Sequence, residues 1–138
     1  MKKKTPKSPW DKARKLVLHR HSPCGIYTEP LERGVNYFVL MLEQLGATTE
    51  YSCEGHAHCP NNFYVVFNAP LCTAVKIQAC GFFTVELEGD NRWSIRTRII
   101  QDDKTRRQVL RWAAAQWERH LGPLEAIAGD TEKTACHV

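Results

Sequence analysis

Residues 83–99 read FTVELEGDNRWSIRTRI. Phe83, Val85 and Leu87 alternate with Thr84, Glu86 and Glu88. After Gly89-Asp90-Asn91, the residues Trp93, Ile95, Thr97 and Ile99 alternate with Ser94, Arg96 and Arg98. A period of two marks a strand with one buried face. The polar tripeptide between the two runs supplies turn residues, so residues 82–100 read as a hairpin. Pairing Val85 with Ile95 and Leu87 with Trp93 puts both apolar rows on one side, and a slip of one residue would undo that. The same register brings Glu86 and Glu88 near Arg92 and Arg96, so these arginines balance the glutamates.

Upstream, Leu71, Ala74, Val75 and Ile77 make a short helix that follows Pro70 and stops at Gly81. Before it, Phe63–Phe67 (FYVVF) is an apolar run of strand length, suited to burial on both faces. Thr48–Cys53 (TTEYSC) is rich in strand formers. Val35, Phe38, Val39, Leu42 and Leu45 keep helical spacing, which predicts a helix over 31–45 ended by Gly46. Downstream, Asp103–Leu121 reads as a helix capped by Asp102 or Asp103 and stopped by Gly122-Pro123. The order is α-β-β-α-β-β-α. The fold class is α+β, a mainly antiparallel four-stranded sheet packed with about three helices.

Residues 1–30 read as an irregular basic arm interrupted by Pro6, Pro9, Pro23 and Pro30, with 11–18 either a helical turn or a strand. Residues 31–123 form the single domain, and 124–138 a frayed tail. At 138 residues the chain is long enough to bury a core without disulfides. No apolar run approaches a membrane span, and no signal-peptide core follows the basic start. The expected location is therefore the cytoplasm, where the six cysteines stay thiols or metal ligands. Cys72 and Cys80 are expected in the core, and Trp93, Trp112 and Trp117 as core or interface anchors. Trp10 in the basic arm is expected to pack onto the domain.

The net charge is +4, with Lys2, Lys3, Lys4 and Lys7 clustered at the start. Lys104, Arg106, Arg107 and Arg111 load the first half of the last helix, the end where its dipole favours anions. Lys3, Lys4, Arg106, Arg107 and Arg111 are thus candidate contacts to nucleic-acid phosphates, against the plainer reading of solvated charge.

The densest polar stretch is Ser52-Cys53-Glu54-Gly55-His56-Ala57-His58-Cys59, at a strand end. Three readings stay open. Cys53, His56, His58 and Cys59 are zinc-ligand types, although their spacing lacks two separated ligand pairs. Cys53, Glu54 and His56 are a candidate catalytic set, with His56 activating the thiol or acting as base while Glu54 orients it. In the third reading, Cys53 is a small buried residue and its neighbours tie down the loop. No phosphate-binding glycine loop, dinucleotide fingerprint or serine-hydrolase elbow is present in the sequence.

The run from Thr48 to His56, preceded by an apolar helix and followed by an apolar strand, a helix with Ala74, and Ala79-Cys80-Gly81-Phe82, resembles the transfer-RNA methyltransferases of wybutosine synthesis over residues 33–88. That resemblance implies RNA as partner, S-adenosylmethionine as cofactor, and Ser52, Cys53 and Gly55 as site positions. Three function classes follow from the sequence. The first is a small binding protein for RNA or DNA. The second is an inhibitor or adaptor of the kind mobile elements encode, acting on another protein. The third is an enzyme, methyltransferase-like or Cys/His-dependent.

Overall fold

The computed structural model describes residues 8–21, 28–30, 32–53, 63–98, 100 and 102–126. It is an α+β fold. In chain order the elements are α1 (Pro9–Ala13), β1 (His19–His21), β2 (Thr28–Pro30), a 3-10 turn (Arg33–Val35), α2 (Asn36–Gln44), β3 (Thr48–Cys53), β4 (Tyr64–Asn68), α3 (Leu71–Ala79), β5 (Thr84–Gly89), β6 (Arg92–Arg96) and α4 (Asp103–Leu121). Strands β1 and β2 pair with each other. The main sheet has four antiparallel strands in the order β3-β4-β6-β5.

The β5–β6 hairpin has the register its alternation demands, with Val85 opposite Ile95 and Leu87 opposite Trp93. Asn91 takes the left-handed conformation at the turn (φ 54°), and Gly89 pairs with Arg92, leaving Glu88 as a bulge. The returning strand ends at Arg96, earlier than the alternation to Ile99 suggests. Its partner β5 begins at Thr84, opposite Arg96, and the Thr97 amide donates instead to the Phe63 carbonyl at 3.1 Å.

Pleating splits the sheet into two faces. Val65, Phe67, Val85, Trp93 and Ile95 turn toward the core shared with α2 and α4. Tyr64, Val66, Asn68, Arg92, Ser94 and Arg96 take the alternate positions and form the other face. The centre of the core is aromatic. Phe38 of α2 meets Phe63, Phe83 and Trp117 of α4 with centroids 5.0–5.3 Å apart, in edge-on contacts. Gly46 (φ 97°) closes α2, with the Gly46 amide donating to Glu43 and the Ala47 amide to Leu42, the paired bonds that end a helix on a left-handed residue.

The packed body begins before residue 31. Ser8 caps α1, Pro9 takes its first position, and Trp10 is 1% exposed. The Trp10 indole donates to the Gly34 carbonyl at 2.9 Å. Asn36 is also buried, and its amide donates to Ala13 (2.9 Å) and Leu16 (2.8 Å), the carbonyls at the end of α1. The body also passes residue 123, since Leu124 is buried and the Glu125 amide donates to Gln44. Cys80 is in the core as expected, but Cys72 is exposed: it lies on the outer side of α3 beside Leu71, while Thr73, Ala74 and Ile77 face inward.

Candidate nucleic-acid interface

The helix α4 starts on Asp102, whose carboxylate accepts from the Thr105 amide (2.8 Å) and hydroxyl (2.6 Å). The Thr105 hydroxyl bond, with the amide bond next, holds the Asp102 carboxyl below its ordinary value. Helical spacing then sorts the cations of α4 into different roles. Arg106 lies four residues before Leu110 and seven before Ala113, both buried, and is itself only 6% exposed. Its guanidinium donates to the Ile100 carbonyl at 2.8 Å and pairs with Asp103. The sequence-based assignment of Arg106 to a phosphate surface is thus corrected: it lies on the inward stripe and braces the helix start. The same periodicity, applied to charged as well as apolar residues, would have identified it.

Arg111 is shared between inside and outside. It pairs with Asp11 of α1 at 3.0 Å, and its guanidinium lies over the Trp10 ring at 5.1 Å. Burial pushes the Asp11 carboxyl up, but the Ser8 hydroxyl and the Arg111 hydrogen bonds and charge outweigh that and hold it below its ordinary value. Arg14 covers the same ring at 4.8 Å. Lys104, Arg107 and Arg119 are exposed. Beyond Asp103, Glu118 is the one carboxylate on α4. Beside Arg111, a groove of about 340 Å³ is lined by Asp11, Arg14, Lys15 and Arg33. Its one acid is the carboxylate already paired with Arg111. Arg111 thereby joins α4 to α1, with Arg14 over the same Trp10 ring. The sequence reading missed the share of α1 and the residues just past it (Lys12, Arg14, Lys15) because it treated Pro9 as an interruption.

Trp112 stands on the outer side of α4 at 66% exposure, while Trp117, five residues on, is fully buried. Phe82 rests against it, centroids 5.4 Å apart and planes at 72°. Phe82 has a φ of +73°, a conformation costing about 1–2 kcal/mol for a bulky residue, yet it stays 41% exposed. Its neighbour Phe83 is the one that enters the core.

The polar sheet face is different. Arg92 pairs with Glu50 at 3.1 Å, and Arg96 lies within 3.8 Å of Glu86 and 3.6 Å of Glu88. The Ser94 hydroxyl donates to Glu88 at 2.6 Å, and that bond, more than the Arg96 charge, holds the Glu88 carboxyl low. Asn68 donates to Glu50. Arg92 also lies over Tyr51 and Arg96 over Tyr64.

Of the polar loop, Ser52 and Cys53 end β3, with Cys53 half-buried opposite Tyr64. Glu54, Gly55, His56, His58 and Cys59 lie outside the described residues, as do Lys3, Lys4, Cys24 and Cys136. Among the described residues no three His, Cys, Asp or Glu side chains come together as a metal site. The Cys80 thiol is pushed up by burial and sits 3.4 Å from the Lys76 carbonyl, an unreactive setting. No helix among the described residues is long and apolar enough to cross a membrane.

No protein-family model, no curated protein and no solved structure matches this chain.

Proposed function

We propose that this protein binds nucleic acid through the surface formed by α1 and α4. The observation that carries the reading is the concentration of outward-facing cations there. Lys104, Arg107 and Arg119 on α4 and Arg14, Lys15 and Arg33 at the groove face outward, while Asp11 is consumed by Arg111. Lysine and arginine collected on one surface are the electrostatic footprint of phosphate binding. The basic residues Lys2, Lys3, Lys4 and Lys7 precede α1 in sequence. RNA as the partner agrees with the transfer-RNA methyltransferase resemblance.

The test is fluorescence anisotropy with a labelled mixed-sequence oligonucleotide, RNA and DNA in parallel, across a salt series. With about five phosphates engaged, affinity should fall roughly a hundredfold between about 50 and 200 mM monovalent salt. Absence of binding at the lowest salt, or an affinity indifferent to salt, would refute the reading.

A further inference from the structure

We infer that the corner formed by Phe82 and Trp112 is a base-stacking site, so that the nucleic acid this surface takes is single-stranded. The inference rests on the reading above and names the substrate form for the same face. Three observations meet here. The Trp112 indole is 66% exposed in a helix whose other tryptophan is completely buried. The Phe82 ring is held beside it at 5.4 Å and 72°, so the two rings make an open corner. The left-handed backbone at Phe82 (φ +73°) sends Phe83 into the core and leaves the Phe82 ring 41% exposed beside Trp112.

The surroundings select the occupant. Gln108 and Lys104 lie one and two turns before Trp112 on the same side of α4, Arg111 is adjacent, and Arg119 lies two turns beyond. An apolar ring site edged by cations suits a planar group that carries a phosphate. A second copy of this chain would bring the same cations against these and be repelled. Bases of a single strand are free to leave their neighbours and stack on an aromatic ring, whatever their identity. Bases of a duplex are stacked on one another and offer only edges and phosphates. The duplex would therefore engage the cations and leave the corner empty.

The experiment titrates the full chain with oligothymidylate and with a duplex of equal length, reading intrinsic tryptophan emission and anisotropy of a labelled strand. Oligothymidylate should quench the emission and the duplex should not. Trp112→Ala should lower the single-strand affinity about tenfold, in the range known for loss of one stacked base, and leave duplex affinity unchanged. Trp112→Phe should keep most of the affinity while losing the quenching. Circular dichroism should show both variants folded, as the side chain is largely in solvent. If Trp112→Ala leaves single-strand affinity intact while charge reversal on α4 removes it, the stacking inference is overturned and the nucleic-acid reading stands. Equal loss for single strand and duplex assigns Trp112 a structural role and overturns the inference. A concentration-dependent dimer in sedimentation that Trp112→Ala dissolves, with no change in nucleic-acid affinity, overturns it in favour of self-association. No binding of either form overturns both readings.

Discussion

Arginines lie over aromatic rings on two sides of this molecule, and the two sides have different electrical outcomes. On the helical side, Arg14 and Arg111 cover Trp10 with one carboxylate, Asp11, between them. On the sheet side, Arg92 and Arg96 cover Tyr51 and Tyr64, but Glu50, Glu86 and Glu88 face them. Two arginines against three glutamates leave that face with no positive excess. On the helical side Lys104, Arg107 and Arg119 are exposed, with Lys104 near the Asp102 carboxylate. The number of arginines therefore says little about where a polyanion would bind. What matters is the charge left over after the protein's own acids have been satisfied.

The comparison is broken most easily by reversing charge on each side. The triple change Lys104→Glu, Arg107→Glu and Arg119→Glu should lower nucleic-acid affinity by about a hundredfold or more at low salt, since each loses a phosphate contact. Arg92→Glu with Arg96→Glu should alter that affinity by less than about threefold, because those cations are already engaged. Anisotropy titrations at one fixed salt concentration compare them. Equal losses on the two sides would remove the distinction.

A smaller effect concerns how the helical side is held in place. Asn36→Ala removes a buried hydrogen bond to Ala13 at the end of α1 and a part-buried one to Leu16 just beyond it. It should destabilise the protein by about 2 kcal/mol, read from urea denaturation, because the Leu16 carbonyl loses the Asn36 amide and the Ala13 carbonyl keeps only the Leu16 amide. The loss of Asn68 on the sheet, whose bond is to the part-exposed Glu50, should cost well under that.

Acid should act on both sides through depressed carboxyls. The Asp11 carboxyl lies below its ordinary value of 3.8 in the folded state. A group depressed by folding contributes stability above its unfolded pKa, and that contribution is lost as pH falls through the folded pKa. The contribution of Asp11 is therefore present at neutral pH and should disappear below about pH 4. Trp10 emission should shift to the red as α1 loosens, and Asp11→Asn should remove that acid-induced shift. Glu88 follows the same sign on the sheet. The smallest effect is expected for Arg96→Ala, under about 1 kcal/mol by the same denaturation assay, since its ion pairs are part-exposed.

Much of the fold was legible because its strands and long helices carry clean periods. The hairpin register followed from alternation alone, and the limits of α4 from Asp102 and Gly122. What was missed has a common physical cause. Pro9 was read as a breaker, although proline's fixed backbone angle suits the first residue of a helix and its missing N–H is not needed there. Five helical residues also give no visible period. Arg106 was read by its charge and not by its place on the helix. For the site, the exposure of Trp112 and the left-handed Phe82 depend on packing and backbone angles that composition does not encode.

The most direct test of which face binds is amide chemical-shift mapping of the isotopically labelled chain titrated with a short oligonucleotide. The expected result is a continuous set of shifted amides on α1, on the outer side of α4 and at Phe82, with β4 and β6 unchanged. Shifts gathered on β4 and β6, with α4 unaffected, would contradict the account.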